Sequence, residues 1–170
     1  PTLTYYLDFG AFGGYYLFGR YVTDDFASPS DFGVHFIQNR APFYVIARLI
    51  NAVFGALTVW MTWRLGRRLA TPGVGLCAAA LLAIVPGHVV WCHVVKEDVI
   101  ATFFFLAALD AATAFVTEGR MRHAWIGGAA AGFGFAAKYH PMRALGRLVL
   151  AIAMRKRLDR QRPWLATISL

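Results

Sequence analysis

The residues of this chain best equipped for chemistry are His88, His93, Lys96, Glu97 and Asp98, a short constellation of titratable groups. The adjacent carboxylates could bind a cation, orient a hydroxyl or assist a proton transfer. Lys96 beside them could meet a phosphate. Neighbouring residues on a helix point about 100° apart, so the two acids need not face one ligand. Asp98 is the preferred one of the pair, with Glu97 second. A plain alternative is a hydrated loop, where charge ordinarily sits. His88 and His93 could join the acids around a metal, but their spacing matches no zinc pattern such as two histidines four apart with a following glutamate. No metal ligand is assigned, interfacial hydrogen bonding is preferred for both histidines, and a divalent cation is the one cofactor left open.

Three further positions carry charge where an apolar chain would avoid it. Arg48 lies near the start of an apolar stretch, where its guanidinium could hold a phosphate in bidentate fashion or extend to the membrane interface. Lys138, followed by Tyr139 and His140, comes after a glycine-rich stretch and could serve a lipid headgroup or another anion. Asp110 falls within an apolar run, where an ionised carboxylate is costly and needs a polar interior or an arginine. It is expected to be neutral or hydrogen-bonded within a bundle.

The elements that must position these groups are membrane helices. Of 170 residues, 58% are hydrophobic and 15% aromatic, and the mean hydropathy is +0.51. That exceeds the apolar share of soluble domains. The run from Leu69 to Val95 lacks Asp, Glu, Lys and Arg, which is more than the roughly 20 residues that cross a bilayer. A net charge of +8 could suggest nucleic acid, but a nucleic-acid reader gathers its basic residues on one face or arm. Here they recur between apolar runs, as in cytoplasmic loops of membrane proteins. Cys77 and Cys92 sit in one expected helix, about 22 Å apart, too far to bridge. The chain starts at Pro1 with no visible signal peptide and reads as a fragment of a longer protein.

The expected fold is all-α, a polytopic transmembrane bundle. Residues 1–42 form an outer-face juxtamembrane segment and loop, and residues 43–170 a partial bundle of about four spans with a basic C-terminal segment. The aromatic stretch Pro1 to Val22 suits an interfacial helix. Thr23 to Pro42, with Asp24, Asp25, Pro29, Ser30 and Asp31, reads as a polar loop. Spans are expected from about Phe43 to Trp63, Gly73 to Trp91, Val99 to Thr117 and Ala124 to Ala137. Gly127, Gly128, Gly132 and Gly134 in the last of these permit close helix approach. Met142 to Met154 is a short or interfacial helix. Alternating spans place Arg64, Arg67, Arg68, Arg120, Arg122 and the cluster from Arg155 to Arg162 inside. Arg48, Lys96, Glu97, Asp98 and Lys138 then fall outside.

Several stretches together resemble the family 39 glycosyltransferases, a membrane-embedded GT-C group that includes protein O-mannosyltransferases and aminoarabinose transferases. They are PTLTYYL at Pro1 to Leu7, ARLINAVFGALTV at Ala47 to Val59, LGRRL at Leu65 to Leu69, and GLCAAALLAIVPGHV at Gly75 to Val89. HVVKEDVIATFFFLAAL from His93 to Leu109 and AGFGFAAKYH from Ala131 to His140 complete the set. Order and spacing carry the resemblance. Beyond His140 the match is poor.

The resemblance implies transfer of a sugar from a polyprenyl-phosphate carrier to an acceptor, with inversion, at the extracytoplasmic face of the plasma membrane. Asp98 and Glu97 become the catalytic candidates, and Arg48, Lys96, His93, Lys138 and Tyr139 the substrate-binding ones. Arg48, Lys96 and Lys138 would face the departing phosphate. The implied partners are the lipid-linked donor and the bilayer, with no nucleic acid and an unspecified acceptor. The family's principal acidic motif would precede Pro1, so the catalytic base is expected upstream and the fragment alone inactive. The alternative is a non-enzymatic transporter or channel subunit, with Asp110, Glu97 and Asp98 lining an ion or proton path.

Overall fold

A computed structural model describes residues 2–138, together with 146, 149–150 and 153–154. Seven α-helices occupy the continuous part: α1 (Thr2–Tyr21), α2 (Pro29–Gln38), α3 (Ala41–Leu69), α4 (Pro72–Ile84), α5 (Pro86–Cys92), α6 (Asp98–Glu118) and α7 (Met121–Ala137). The all-α membrane bundle is therefore the architecture found. Tyr139, His140 and most of the expected Met142 to Met154 helix lie outside the described residues.

Two helices, α3 and α6, are long and apolar enough to cross a membrane, and a third span forms if α4 and α5 count as one. Those two helices are bent by 64° relative to each other. This corrects the single helix expected to hold both Cys77 and Cys92, and gives the span expected from Gly73 to Trp91 the form of a bent pair. Pro86 is the cause: it lacks an N–H for the helical ladder and forces Val85 into extended backbone, φ −64° and ψ 119°. The 17 residues of α7 make it about 26 Å long, slightly short of the hydrocarbon core.

The loop expected over Thr23 to Pro42 is also corrected, because it contains α2. Ser28 caps that helix, its hydroxyl accepting from the Asp31 backbone N–H at 3.3 Å, and Pro29 opens the first turn. The same residues that suggested a turn are helix-start chemistry. A second cap of this kind, Thr71 accepting from Val74 N–H with Pro72 following, begins α4. Gly119, in the left-handed region at φ 72°, ends α6 and reverses the chain into α7.

Helix α3 is the hub. It packs against α4 on one side and α6 on another, and α6 in turn packs along α7. The contacts use small residues, as lipid-solvated helices require when no hydrophobic effect draws them together. In α7 the buried stripe is Gly127, Ala130, Ala131, Gly134 and Ala137, facing Ala108 and Ile100 of α6. Of the four glycines expected to mediate this contact, Gly127 and Gly134 do so, whereas Gly132 meets open space. The closest approach is between α3 and α4. A Cβ on Gly75 would stand 2.6 Å from the Trp63 carbonyl oxygen, and one on Gly66 would stand 2.7 Å from Gly75 Cα. Outward-facing Leu49, Val53, Leu76, Leu81 and Ile84 remain exposed, the apolar exterior of a protein solvated by lipid.

Charge separates to the two ends of this bundle. At one end Arg64 and Arg68 of α3 reach Asp110 of α6, Nε to Oδ2 at 2.9 Å and Nε to Oδ1 at 3.0 Å. Arg68 also donates to Glu118 at 3.1 Å, and His123 and Arg120 contact the same carboxylate. The expectation that Asp110 is hydrogen-bonded within the bundle is thus met by two guanidiniums at once. At the opposite end lie Lys96, Asp98 and Lys138.

Candidate functional site

The α5–α6 connection and the end of α7 build a cavity of about 480 Å³ lined by Thr58, His88, Trp91, Lys96, Asp98, Val99, Thr102 and Lys138. That is the size of an ordinary small-molecule site. Each wall has a local reason to be there. Pro86 turns α5 away from the α4 axis, which brings His88 and Trp91 beside α3 at Thr58. Asp98 occupies the first turn of α6, where the helix dipole favours a negative charge. Lys138 caps the far end of α7, its backbone N–H donating to Gly134 O at 2.9 Å, in extended conformation.

Lys138 and Asp98 are joined by an ion pair through Nζ and Oδ1. The hydrogen bond to Asp98 holds the Lys138 ammonium above the usual lysine range, against the opposing effect of desolvation, and the Asp98 and Glu97 charges add to it. Asp98 Oδ2 has no partner among the described residues. Lys96 places its ammonium 4.9 Å from the centre of the Trp91 ring. His88 Nε2 lies 3.6 Å from Cys92 Sγ. Cys92 is buried against Gly55, where a Cβ would meet its sulfur at 2.3 Å, so only glycine admits α5 this close to α3. Thr58 and Thr102 donate to the backbone carbonyls of Phe54 and Asp98, at 2.7 and 2.8 Å, which leaves their oxygens free to accept.

Apart from His88, the charged groups of the lining are two ammonium groups and one carboxylate, an excess of positive charge that suits an anion. The indole supplies a flat apolar surface for a sugar or other ring, and Asp98 Oδ2 an acceptor for hydroxyl groups. Among the described residues no three His, Cys, Asp or Glu side chains converge as a metal site.

Of the residues singled out in the sequence, His88, Lys96, Asp98 and Lys138 come together here. Glu97, half-buried at the α6 N-cap, lies next to the cavity without lining it. His93 is exposed, its Nδ1 2.8 Å from Val89 O, and also stays outside the lining. Arg48 sits two turns into α3 on an exposed face and does not line the cavity. Its neighbours at the buried positions Ala47 and Asn51 show why: the contact face of α3 runs through those residues, and Arg48 is turned about 100° from Ala47. Trp91, Thr58 and Thr102 were missed. Pro86, as a helix breaker ahead of an aromatic residue, was the available signal for Trp91; nothing in the sequence distinguishes Thr58 or Thr102 from other membrane-helix threonines.

The family model described as dolichyl-phosphate-mannose-protein mannosyltransferase matches residues 44–170. The match covers most of the chain, and the chain belongs to that family, a group of membrane glycosyltransferases of the GT-C type. It begins after the PTLTYYL string and runs past His140 through to residue 170. No curated protein and no solved structure matches the chain.

Proposed function

We propose that this member of the mannosyltransferase family binds a polyprenyl-phosphate-linked sugar in the Asp98 cavity and transfers the sugar to an acceptor hydroxyl. The observation that carries the reading is the pairing of Lys138 with Asp98 beside Lys96 and Trp91, in a cavity whose net charge is positive. A lipid-linked donor presents a phosphate and a sugar ring near the membrane surface. Lys138 and Lys96 meet the phosphate, Trp91 offers its face to the ring, and Asp98 Oδ2 accepts from a hydroxyl.

In the reaction the acceptor oxygen bonds to the anomeric carbon from the face opposite the phosphate, and the carbon–oxygen bond to phosphate breaks. Configuration inverts. The electron pair leaves with the polyprenyl phosphate, where two ammonium groups stabilise the developing charge. The acceptor proton passes to a carboxylate, for which Asp98 is the candidate in the cavity and Glu97 lends negative potential from beside it. Arg48, His93 and Tyr139 have weaker support as substrate contacts, Arg48 and His93 because neither lines the cavity.

Charge supports a sidedness. Arg64, Arg67, Arg68, Arg120 and Arg122 gather at the end opposite the cavity, which the positive-inside rule assigns to the cytoplasm. The cavity then opens on the extracytoplasmic face, with the plasma membrane as the site. A transport reading needs Asp110 on a path, yet both its oxygens are held by arginines and it lines neither cavity described for this protein.

The test is transfer of labelled mannose from polyprenyl-phosphate-mannose in membranes containing the full-length protein. Lys138→Met and Asp98→Asn are each expected to lower turnover on the order of a hundredfold or more. Unchanged turnover in both would remove this cavity from the reaction.

A further inference from the structure

A second cavity, of about 350 Å³, lies among α1, the α2–α3 junction and the link before α6. Asp8, Phe12, Phe36, Arg40, Phe43 and Tyr44 supply most of its lining. Val95 closes it on one side, while the next residue, Lys96, lines the Asp98 cavity, so the link between α5 and α6 divides the two.

Its charged groups are unused. Asp8 Oδ1 is buried with no hydrogen-bond partner, and burial pushes the Asp8 carboxyl up. A donor-starved carboxylate oxygen in an apolar wall is costly until something donates to it. Arg40 is exposed, and among the described residues neither it nor Asp8 takes part in an ion pair, although both line this cavity. Aromatic rings share the lining. Phe43 is edge-on to Phe12 at 5.1 Å and to Phe36 at 4.7 Å, and Tyr44 forms part of the rim.

We propose that this cavity binds the zwitterionic headgroup of an aminophospholipid, with its primary ammonium at Asp8 and its phosphate at Arg40. An ammonium supplies the missing N–H donors and is attracted to aromatic faces, and a guanidinium matches phosphate. Asp8 and Arg40 share one cavity of about 350 Å³ without an ion pair between them, so a ligand that carries both charges can engage each. The rim favours a lipid as the source: Tyr44 and Phe36 are exposed, as are Phe9 and Val45 close by in sequence. The headgroup enters the cavity and the acyl chains lie along this apolar exterior. Nothing in this site depends on the transfer reaction, so its test is independent of it.

The protein, purified in detergent and stripped of lipid, is offered phosphatidylethanolamine, phosphatidylcholine and phosphatidylglycerol, and retention is read by native mass spectrometry. Phosphatidylethanolamine is expected to be retained about tenfold better than phosphatidylcholine, whose quaternary nitrogen has no N–H for Asp8. Asp8→Asn should erase that preference, and Arg40→Gln should weaken both lipids alike. Soluble phosphoethanolamine should compete at high concentration. Equal retention of the first two lipids, a preference for phosphatidylglycerol, or a preference that survives Asp8→Asn overturns the proposal. Binding of soluble phosphoethanolamine without the lipid also overturns it. Should Asp8→Asn fail to fold, the discrimination among lipids by the unmodified protein decides alone.

Discussion

Lys138, one residue past the end of α7, holds Asp98, in the first turn of α6, across forty residues of sequence. The pair joins the ends of two helices that pack along each other, in the lining of the cavity. It also splits the labour of the carboxylate, one oxygen engaged by the ammonium and one left for a ligand.

The pair predicts unequal effects from its two members. Lys138→Met should raise the KM for the lipid-linked donor and lower kcat together, since a phosphate contact strengthens as charge develops on the leaving group. Asp98→Asn keeps the shape and leaves Lys138 charged, so donor binding should persist while kcat falls. Steady-state kinetics in membranes checks both. Equal losses confined to KM would point to simple anion binding.

Lys138 should react slowly with amine-directed reagents. Its pKa is raised, first by the hydrogen bond to Asp98, so the fraction of free amine at any given pH is below that of an ordinary lysine. By linkage, the stabilisation from this group is complete below the unfolded-state value of 10.5 and is lost as pH rises through the folded-state value. Peptide mapping after acetylation at pH 9 should show Lys138 labelled more slowly than Lys96, and Asp98→Asn should accelerate it.

Much of this fold was legible in the sequence, for reasons of physics. Apolar run length and loop arginines identify membrane helices because lipid admits little else. The chemistry-bearing stretch around Asp98 was visible as a cluster of charge at a helix end. What was not legible depended on local breaks and on rotation. Pro86 divides an apolar run whose hydropathy alone looks continuous, and Ser28 with Pro29 starts a helix where a turn was expected. Arg48 looked like a site residue by its type, but membership of the cavity depends on which side of α3 it occupies, and Ala47 and Asn51 take the inward side. The partnership of Lys138 with Asp98 needed α6 and α7 laid side by side.

At the other end of the bundle, Asp110 is 5% exposed and carries two arginines. Asp110→Ala leaves both guanidiniums without their carboxylate and should cost about 3 kcal/mol. A lowered thermal midpoint in detergent would register it. Replacing Asp110 with Leu together with Arg64→Met and Arg68→Met should recover most of the loss, because no uncompensated charge then remains among these three positions.

Gly75→Ala should destabilise through contact alone. The new methyl would meet the Trp63 carbonyl oxygen at 2.6 Å and the Arg67 backbone nitrogen at 2.7 Å, neither of which can rotate away. A loss of about 1–3 kcal/mol is expected. Gly132→Ala, with nothing within 4 Å, serves as the neutral control in the same thermal assay.

Whether the Asp98 cavity receives a polyprenyl-phosphate sugar can be read from a photoreactive polyprenyl-phosphate-mannose applied to the protein in membranes and mapped by peptide sequencing. Crosslinks are expected on the segments carrying Trp91 to Asp98 and Lys138, displaced by excess unlabelled donor and reduced in Lys138→Met. Crosslinks that spare those segments, or that excess donor fails to displace, would show that the donor binds elsewhere.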